Sequence, residues 1–215
     1  MREGQLPTQD SLTSQSSMKA GKDRAREVDG VASFDDIFSR IGPGLYTLAS
    51  MLVGEGEQSL NLVEKAVASA EVSSHDDAAQ ALKYSQWALC REAIGFLDRR
   101  RPGCLDAPEA LAHETTCIED DDLDAAGVSR DELTRMFAGP DRDRLRIWLA
   151  SLPDTLRVIF VLRAVAGHTS AETASLLSGN RGPMASPWSA EAVREVFRQA
   201  LCSLTSQLIH AAVAR

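Results

Sequence analysis

Basic residues are scarce in this chain relative to acidic ones. Lys and Arg number 23 against 31 Asp and Glu, a formal net charge of -8. A globally acidic protein is not drawn to nucleic acid non-specifically, so any such binding needs a local basic patch or a partner that supplies affinity. No window reaches the roughly 18 consecutive apolar residues of a membrane span, and no apolar run near the N-terminus has the form of a signal peptide. These absences predict a soluble, cytoplasmic protein without membrane partners. Cysteine is sparse, at four, and Cys90, Cys104, Cys117 and Cys202 form no CxxC pair. Cys104, His113 and Cys117 could be three zinc ligands, but the spacing is loose and no fourth ligand is obvious. Reduced, unpaired thiols and no bound metal are the expectation. The chain has no glycine-rich phosphate loop, nucleophile elbow or paired metal-binding histidines. His75, His113, His168 and His210 are scattered. No catalytic residue, cofactor or small-molecule substrate is therefore expected, and the protein is read as a non-enzyme.

What the chain does have is helical periodicity, and no β-strand is needed anywhere. Residues 1–30 are polar, with too few apolar side chains to order themselves, and predict a disordered tail. From Phe34 onward, Ile37, Phe38, Ile41, Leu45, Leu48, Ala49 and Leu52 recur at steps of three and four. Gly42-Pro43-Gly44 interrupts them and predicts a kink or two helices in line. Leu60, Val63, Val67 and Ala70 give a short second helix. Asp76 or Asp77 would cap a third, carrying Leu82, Ala88, Leu89, Ala93, Phe96 and Leu97 and ending in Arg99-Arg100-Arg101. That run suits a helix C-terminus electrostatically; contact with phosphate or a protein partner is the alternative.

Between Gly103 and Asp143 about a dozen carboxylates accompany three arginines. Residues 103–141 read as an acidic linker, with a brief helical piece near Arg130 to Phe137. It divides the chain into a domain at 31–102 and another at 142–215. In the second, Leu145, Trp148, Leu149 and Leu152 make a helix face. Ser151-x-x-Asp154, with Pro153 in the first turn, starts the next helix. Leu156, Ile159, Phe160 and Leu162 line it, and Gly167 stops it. Thr169-x-x-Glu172 is a capping box for a short helix. Val193, Val196, Phe197, Ala200, Leu201, Leu204 and Leu208 then form one continuous apolar stripe. Trp188 precedes that last helix, where a packing staple against its first turns is expected over base stacking; Trp87 and Trp148 read as packing residues. The fold class is all-α: two small helical domains, the C-terminal one a helix-turn-helix.

The order helix, glycine, capped short helix, turn and amphipathic helix resembles region four of bacterial RNA polymerase sigma factors of the small extracytoplasmic-function class. The matching residues are Leu152-Pro153, Phe160-Val161-Leu162, Gly167, Ser170, Glu172-Thr173-Ala174, Leu177, Ser189, Val193 and Arg194. The first domain resembles region two through the Ile41–Gly54 stretch, Leu60-Asn-Leu-Val-Glu64, and Leu89-Cys-Arg-Glu92 through Arg101. The resemblance covers about three quarters of the chain. It implies promoter DNA and core RNA polymerase as partners, with an anti-sigma factor as a further candidate. It places DNA contacts at Ser189, Ala190, Glu191, Arg194, Glu195 and Arg198, and polymerase docking at Asn61, Leu62, Val63 and Glu64. Arg91, Arg99, Arg100 and Arg101 are candidates for either surface.

The chain departs from the family where Asn61 and Glu64 replace Asp and Gln, where Glu92 replaces Asn, and in a turn at 178–188 about eight residues longer than usual. Glu191 and Glu195 offset Arg194 and Arg198, which could equally be a solvated helix surface of paired charges. These departures support a second expectation: an interaction protein on a sigma scaffold, binding polymerase or an anti-sigma factor with weak DNA reading. A neutral or negative face on the last helix would favour it. A dimeric helix-turn-helix regulator is a third expectation, disfavoured by the separate first domain.

Overall fold

The computed structural model describes residues 34–70, 78–108, 117–179 and 187–213. The expected N-terminal tail, the capping role of Asp76 or Asp77, and most of the long turn before the last helix lie outside them. All regular structure among the described residues is helical.

Helix α1 spans Phe34–Val53, α2 Glu57–Ser69 and α3 Ala78–Arg100. In α1 the periodic positions Ile37, Ile41, Leu45, Leu48, Ala49 and Leu52 are all buried. Of the kink or two helices in line expected at Gly42-Pro43-Gly44, the two-helix form does not occur, because α1 continues through Pro43. A Cβ at either flanking glycine would meet nothing within 4 Å. The Pro43 carbonyl accepts a hydrogen bond from Thr47 Oγ1 at 2.9 Å.

The turn into α2 uses Gly54 and Gly56 at φ +93° and +118°, a region open to glycine at little cost. The Ser59 hydroxyl donates back to the Gly54 carbonyl and is itself buried. The buried stripe of α2 is therefore Ser59, Leu62 and Ala66. Leu60, expected on that stripe, points outward and is 53% exposed.

Helices α4 (Arg130–Ala138), α5 (Arg142–Ser151), α6 (Asp154–Phe160), α7 (Ser170–Gly179) and α8 (Ala190–Val213) follow. Ser129 and Glu132 cap α4 reciprocally. Pro153 immediately precedes α6 rather than lying inside its first turn, and Ser151 closes α5 by donating to the Trp148 carbonyl at 2.6 Å. After α6 the chain widens into a π-helical turn, Val161–Val165. Gly167 then terminates it at φ +79°. The Arg130 guanidinium sits where a Cβ on Gly167 would project and donates to the Arg163 carbonyl at 3.3 Å. A cation at a helix C-terminus complements the dipole, and the bare glycine leaves it room.

Aromatic side chains fill the centre of this second group. Phe160 stacks edge-on against Trp148 at 5.1 Å and lies 6.3 Å from Phe197. The Trp148 indole donates to Ser203 Oγ at 3.0 Å.

The two groups of helices pack on each other. α1 touches α5 and the π-helical turn, and α3 touches α7. Buried side chains from both join one cluster. Arg101 pairs with Asp154 at 2.8 Å, and Arg146 pairs with Glu55. Thr155 Oγ1 donates to the Cys104 carbonyl at 2.7 Å. Trp87, half exposed, meets His168 edge-on at 5.3 Å.

Residues 117–128, inside the stretch expected to be linker, also reach this cluster. Ile118, Leu123, Ala126 and Val128 are buried in it, and the short 3₁₀ turn Leu123–Ala126 packs on α8. No helix among the described residues is long and apolar enough to cross a membrane.

Candidate nucleic-acid interface

The start of α8 is fixed by three local devices. Ser189 Oγ accepts the Ala192 backbone N–H at 3.0 Å, an N-cap. Ser178 Oγ, from the last turn of α7, accepts the Trp188 N–H at 3.0 Å. Trp188 is buried, and its indole N–H donates to the Leu105 carbonyl at 2.9 Å. The packing role holds and base stacking does not, since the ring is enclosed. The anchor, however, is the segment after α3.

Helix α7 is fixed by its capping box. Thr169 N–H and Oγ1 bond Glu172 Oε2 at 2.7 and 2.9 Å, and the Glu172 N–H returns to Thr169 Oγ1 at 3.2 Å. The Thr169 backbone N–H, then its hydroxyl, holds the Glu172 carboxyl below its ordinary range.

Val193, Val196, Phe197, Ala200, Leu201 and Leu204 are all buried, so α8 turns its polar side outward from the N-terminal half. That side presents Ser189 and Glu191 to solvent, with Ala190 and Arg194 half exposed. Arg194 bonds Glu191 through both Nε, at 3.1 Å, and Nη2. The hydrogen bond from Arg194 holds the Glu191 carboxyl low, and Glu191 in turn raises the guanidinium.

Glu195 and Arg198 do not share the expected exposure. They pair with each other, and their side chains are only 12% and 21% exposed. Arg198 Nη1 also donates to the Glu119 carbonyl at 3.0 Å. Two turns of candidate DNA-contacting surface thus reduce to one exposed pair, Glu191 and Arg194, and one covered pair.

What covers Arg198 lies within the stretch expected to be an acidic linker. The segment beginning at Cys117 runs beside α8 and the π-helical turn. Asp121 accepts two hydrogen bonds from Arg163 Nη2, at 2.9 Å to its carboxylate and 3.0 Å to its carbonyl. Ser170 Oγ lies 3.3 Å from the same carboxylate. Arg163 in turn lies 4.9 Å over the Phe197 ring. Cys117 is disulfide-bonded to Cys202 of α8. The expectation of four unpaired thiols is therefore corrected: only Cys90 and Cys104 are free. The zinc trio falls with it, since Cys117 is spent in the disulfide and His113 lies outside the described residues. Among the described residues no cluster of His, Cys, Asp or Glu is arranged to hold a metal ion.

The other candidates sit apart from α8. On α2, Asn61 and Glu64 are exposed, Val63 is half-buried and Leu62 is core; the exposed Leu60 stands beside them. On α3, Arg91, Arg99 and Arg100 are exposed. Arg100 and Arg101 border a cleft of about 590 Å³ between the helix groups, shared with Arg146, Arg157, Asp143 and Asp154. Asp154 bonds both Arg101 and Arg157 there, so much of the cleft's charge is internally balanced.

No protein-family model, no curated protein and no solved structure matches the chain. The sigma-factor resemblance rests on the residues quoted above.

Proposed function

We propose that this protein is a sigma-type transcription initiation factor that binds core RNA polymerase and directs promoter-specific initiation. The observation that carries the proposal is the doubly capped pair α7 and α8. Thr169–Glu172 fixes the start of one helix and Ser189 the start of the other. The buried stripe of α8 leaves its first turns, with Glu191 and Arg194, facing outward. A helix held in this way by a shorter partner is the arrangement that major-groove reading requires. In this reading the 31–102 domain docks on polymerase through α2, and the second domain reads the upstream promoter element. Affinity comes mostly through the holoenzyme, in keeping with a net charge of -8.

A second reading has its own observation. Both arginines of the α8 face are paired with glutamates one turn away, so the face is close to neutral. That favours an interaction protein on a sigma scaffold, binding polymerase or an anti-sigma factor with weak DNA reading.

Co-purification with core polymerase followed by in vitro transcription from a genomic promoter library separates the two. Binding with specific transcripts is the expected result, and binding without transcripts selects the interaction protein. Arg194→Glu should abolish specific initiation without unfolding the chain, because the side chain is half exposed and belongs to no buried cluster. Unchanged transcription from that variant would remove the DNA role assigned to α8.

A further inference from the structure

The Cys117–Cys202 bond joins two places 85 residues apart. One lies two residues before the acidic run Glu119-Asp120-Asp121-Asp122; the other lies one turn beyond Arg198 on α8. Their Cα atoms are 5.7 Å apart, within the span a disulfide bridges without moving the backbone. Cys117 is exposed and Cys202 half-buried, so reagents can reach the pair. Between the bond and the Asp121–Arg163 ion pair, the run places the Glu119 carbonyl on Arg198. The same stretch supplies a carbonyl and a carboxylate to Arg198 and Arg163, acceptor oxygens in the place that the phosphate oxygens of a nucleic acid would take.

We propose that Cys117 and Cys202 are a thiol-oxidation site that latches residues 117–122 as an acidic strap over the arginine side of α8. The strap lowers nucleic-acid affinity when the bond is formed and raises it when the bond is reduced. This rests on the reading of α8 as the DNA-facing helix.

The chemistry is a two-electron exchange with a small-molecule disulfide such as oxidised glutathione. One cysteine thiolate attacks the reagent's S–S bond, forming a mixed disulfide and releasing one small thiol. The second cysteine displaces the other small thiol as the Cys117–Cys202 bond forms. The two protons and two electrons leaving the protein thiols are those that the two small thiols carry away.

The remaining cysteines do not compete well. Cys90 is enclosed, and burial pushes its thiol up to about 12. Burial also raises Cys104, helped by Asp154 and Asp98. A raised thiol pKa leaves little thiolate to react.

The bond adds to a strap that already has non-covalent anchors. Ile118 is buried, and Asp121 holds Arg163. Reduction therefore shifts an equilibrium between covered and uncovered α8 and need not unfold the segment.

The test uses the full-length chain, reduced and then oxidised with oxidised glutathione, beside Cys117→Ser and Cys202→Ser. Peptide mass spectrometry reads the bond. Amide hydrogen exchange over residues 118–122 reads the strap. Fluorescence anisotropy with a mixed-sequence duplex at low salt reads the α8 surface. The expected result is faster exchange and about tenfold tighter duplex binding on reduction, with both serine variants behaving as the reduced protein in either buffer. Failure to form the bond, or exchange at 118–122 that ignores redox state, overturns the latch. Exchange that responds while duplex binding stays constant and measurable overturns the covering role. Exchange that responds with no duplex binding in any state keeps the strap and removes the DNA reading of α8.

Discussion

The end of α3 and the start of α8 each offer arginines to the surface, in opposite electrostatic states. At α3, Arg99 and Arg100 are exposed and make no ion pair among the described residues. At α8, Arg194 and Arg198 each pair with a glutamate one turn earlier, and Arg198 carries a backbone carbonyl as well. The contrast shows that charge available to a polyanion is set by what stands one turn away, and not by how many arginines a helix carries. A phosphate at α3 meets a cation with no ion pair among the described residues. One at α8 must first displace a carboxylate, and at Arg198 the strap too. On the proposed reading, an acidic protein built this way would need a partner, or release of the proposed strap, to engage DNA through its last helix.

The largest expected effect breaks the α8 side of the comparison altogether. Trp188→Ala removes a buried indole and its bond to the Leu105 carbonyl, and should cost about 3–5 kcal/mol in urea unfolding. An effect below about 1 kcal/mol would mean that α8 does not rely on this anchor.

Next in size is Thr169→Ala. It removes the hydroxyl half of the α7 capping box and should cost about 1 kcal/mol. The pH dependence belongs to Glu172. Its carboxyl is held low in the folded chain, so its stabilisation is present above the ordinary carboxylate range. That stabilisation is lost as pH falls through the depressed folded value. Glu172→Gln should therefore melt below the parent at neutral pH, and the gap should close on acidification below about pH 4. A gap that persists there would assign the loss to something other than the charged cap.

How much of this was legible in the sequence differs from helix to helix. The stripes of α1 and α8 were plain, because every third or fourth residue is a large aliphatic or aromatic. The capping box at Thr169 was plain because its two side chains bond within one turn. The α2 register was not: Ser59 takes the inward position by bonding the Gly54 carbonyl, and Leu60, the more hydrophobic residue, is turned out. Gly42-Pro43-Gly44 does not split the stretch into two helices, since α1 runs on through Pro43. Ile118, Leu123, Ala126 and Val128 were hidden because a turn and a single 3₁₀ coil give their spacing no period, and the surrounding acid masked them. The Cys117–Cys202 bond had no signal at all, because pairing across 85 residues is a property of the packed chain. Of the candidate DNA contacts, Glu191 is exposed and Arg194 half exposed on the outer side of α8. Glu195 and Arg198 are largely covered, Glu195 paired with Arg198 and Arg198 bonded to the Glu119 carbonyl of that same unreadable segment.

The smaller effects concern charge alone and sharpen the comparison. Glu191→Gln leaves Arg194 without its carboxylate and should steepen the dependence of log K on log salt by about 0.9, one added phosphate contact. An unchanged slope would mean that Arg194 faces no phosphate. Arg100→Gln should leave stability within about 0.5 kcal/mol, since the side chain is exposed and no ion pair is lost among the described residues. Its effect is then confined to binding, and the direction of that effect identifies the partner at α3. A flatter salt slope on duplex DNA with polymerase binding intact places nucleic acid there. Weaker capture of core polymerase with the slope intact places protein there. If neither changes, the arginines at the end of α3 serve the helix dipole, and the contrast with α8 is one of local electrostatics without a partner behind it.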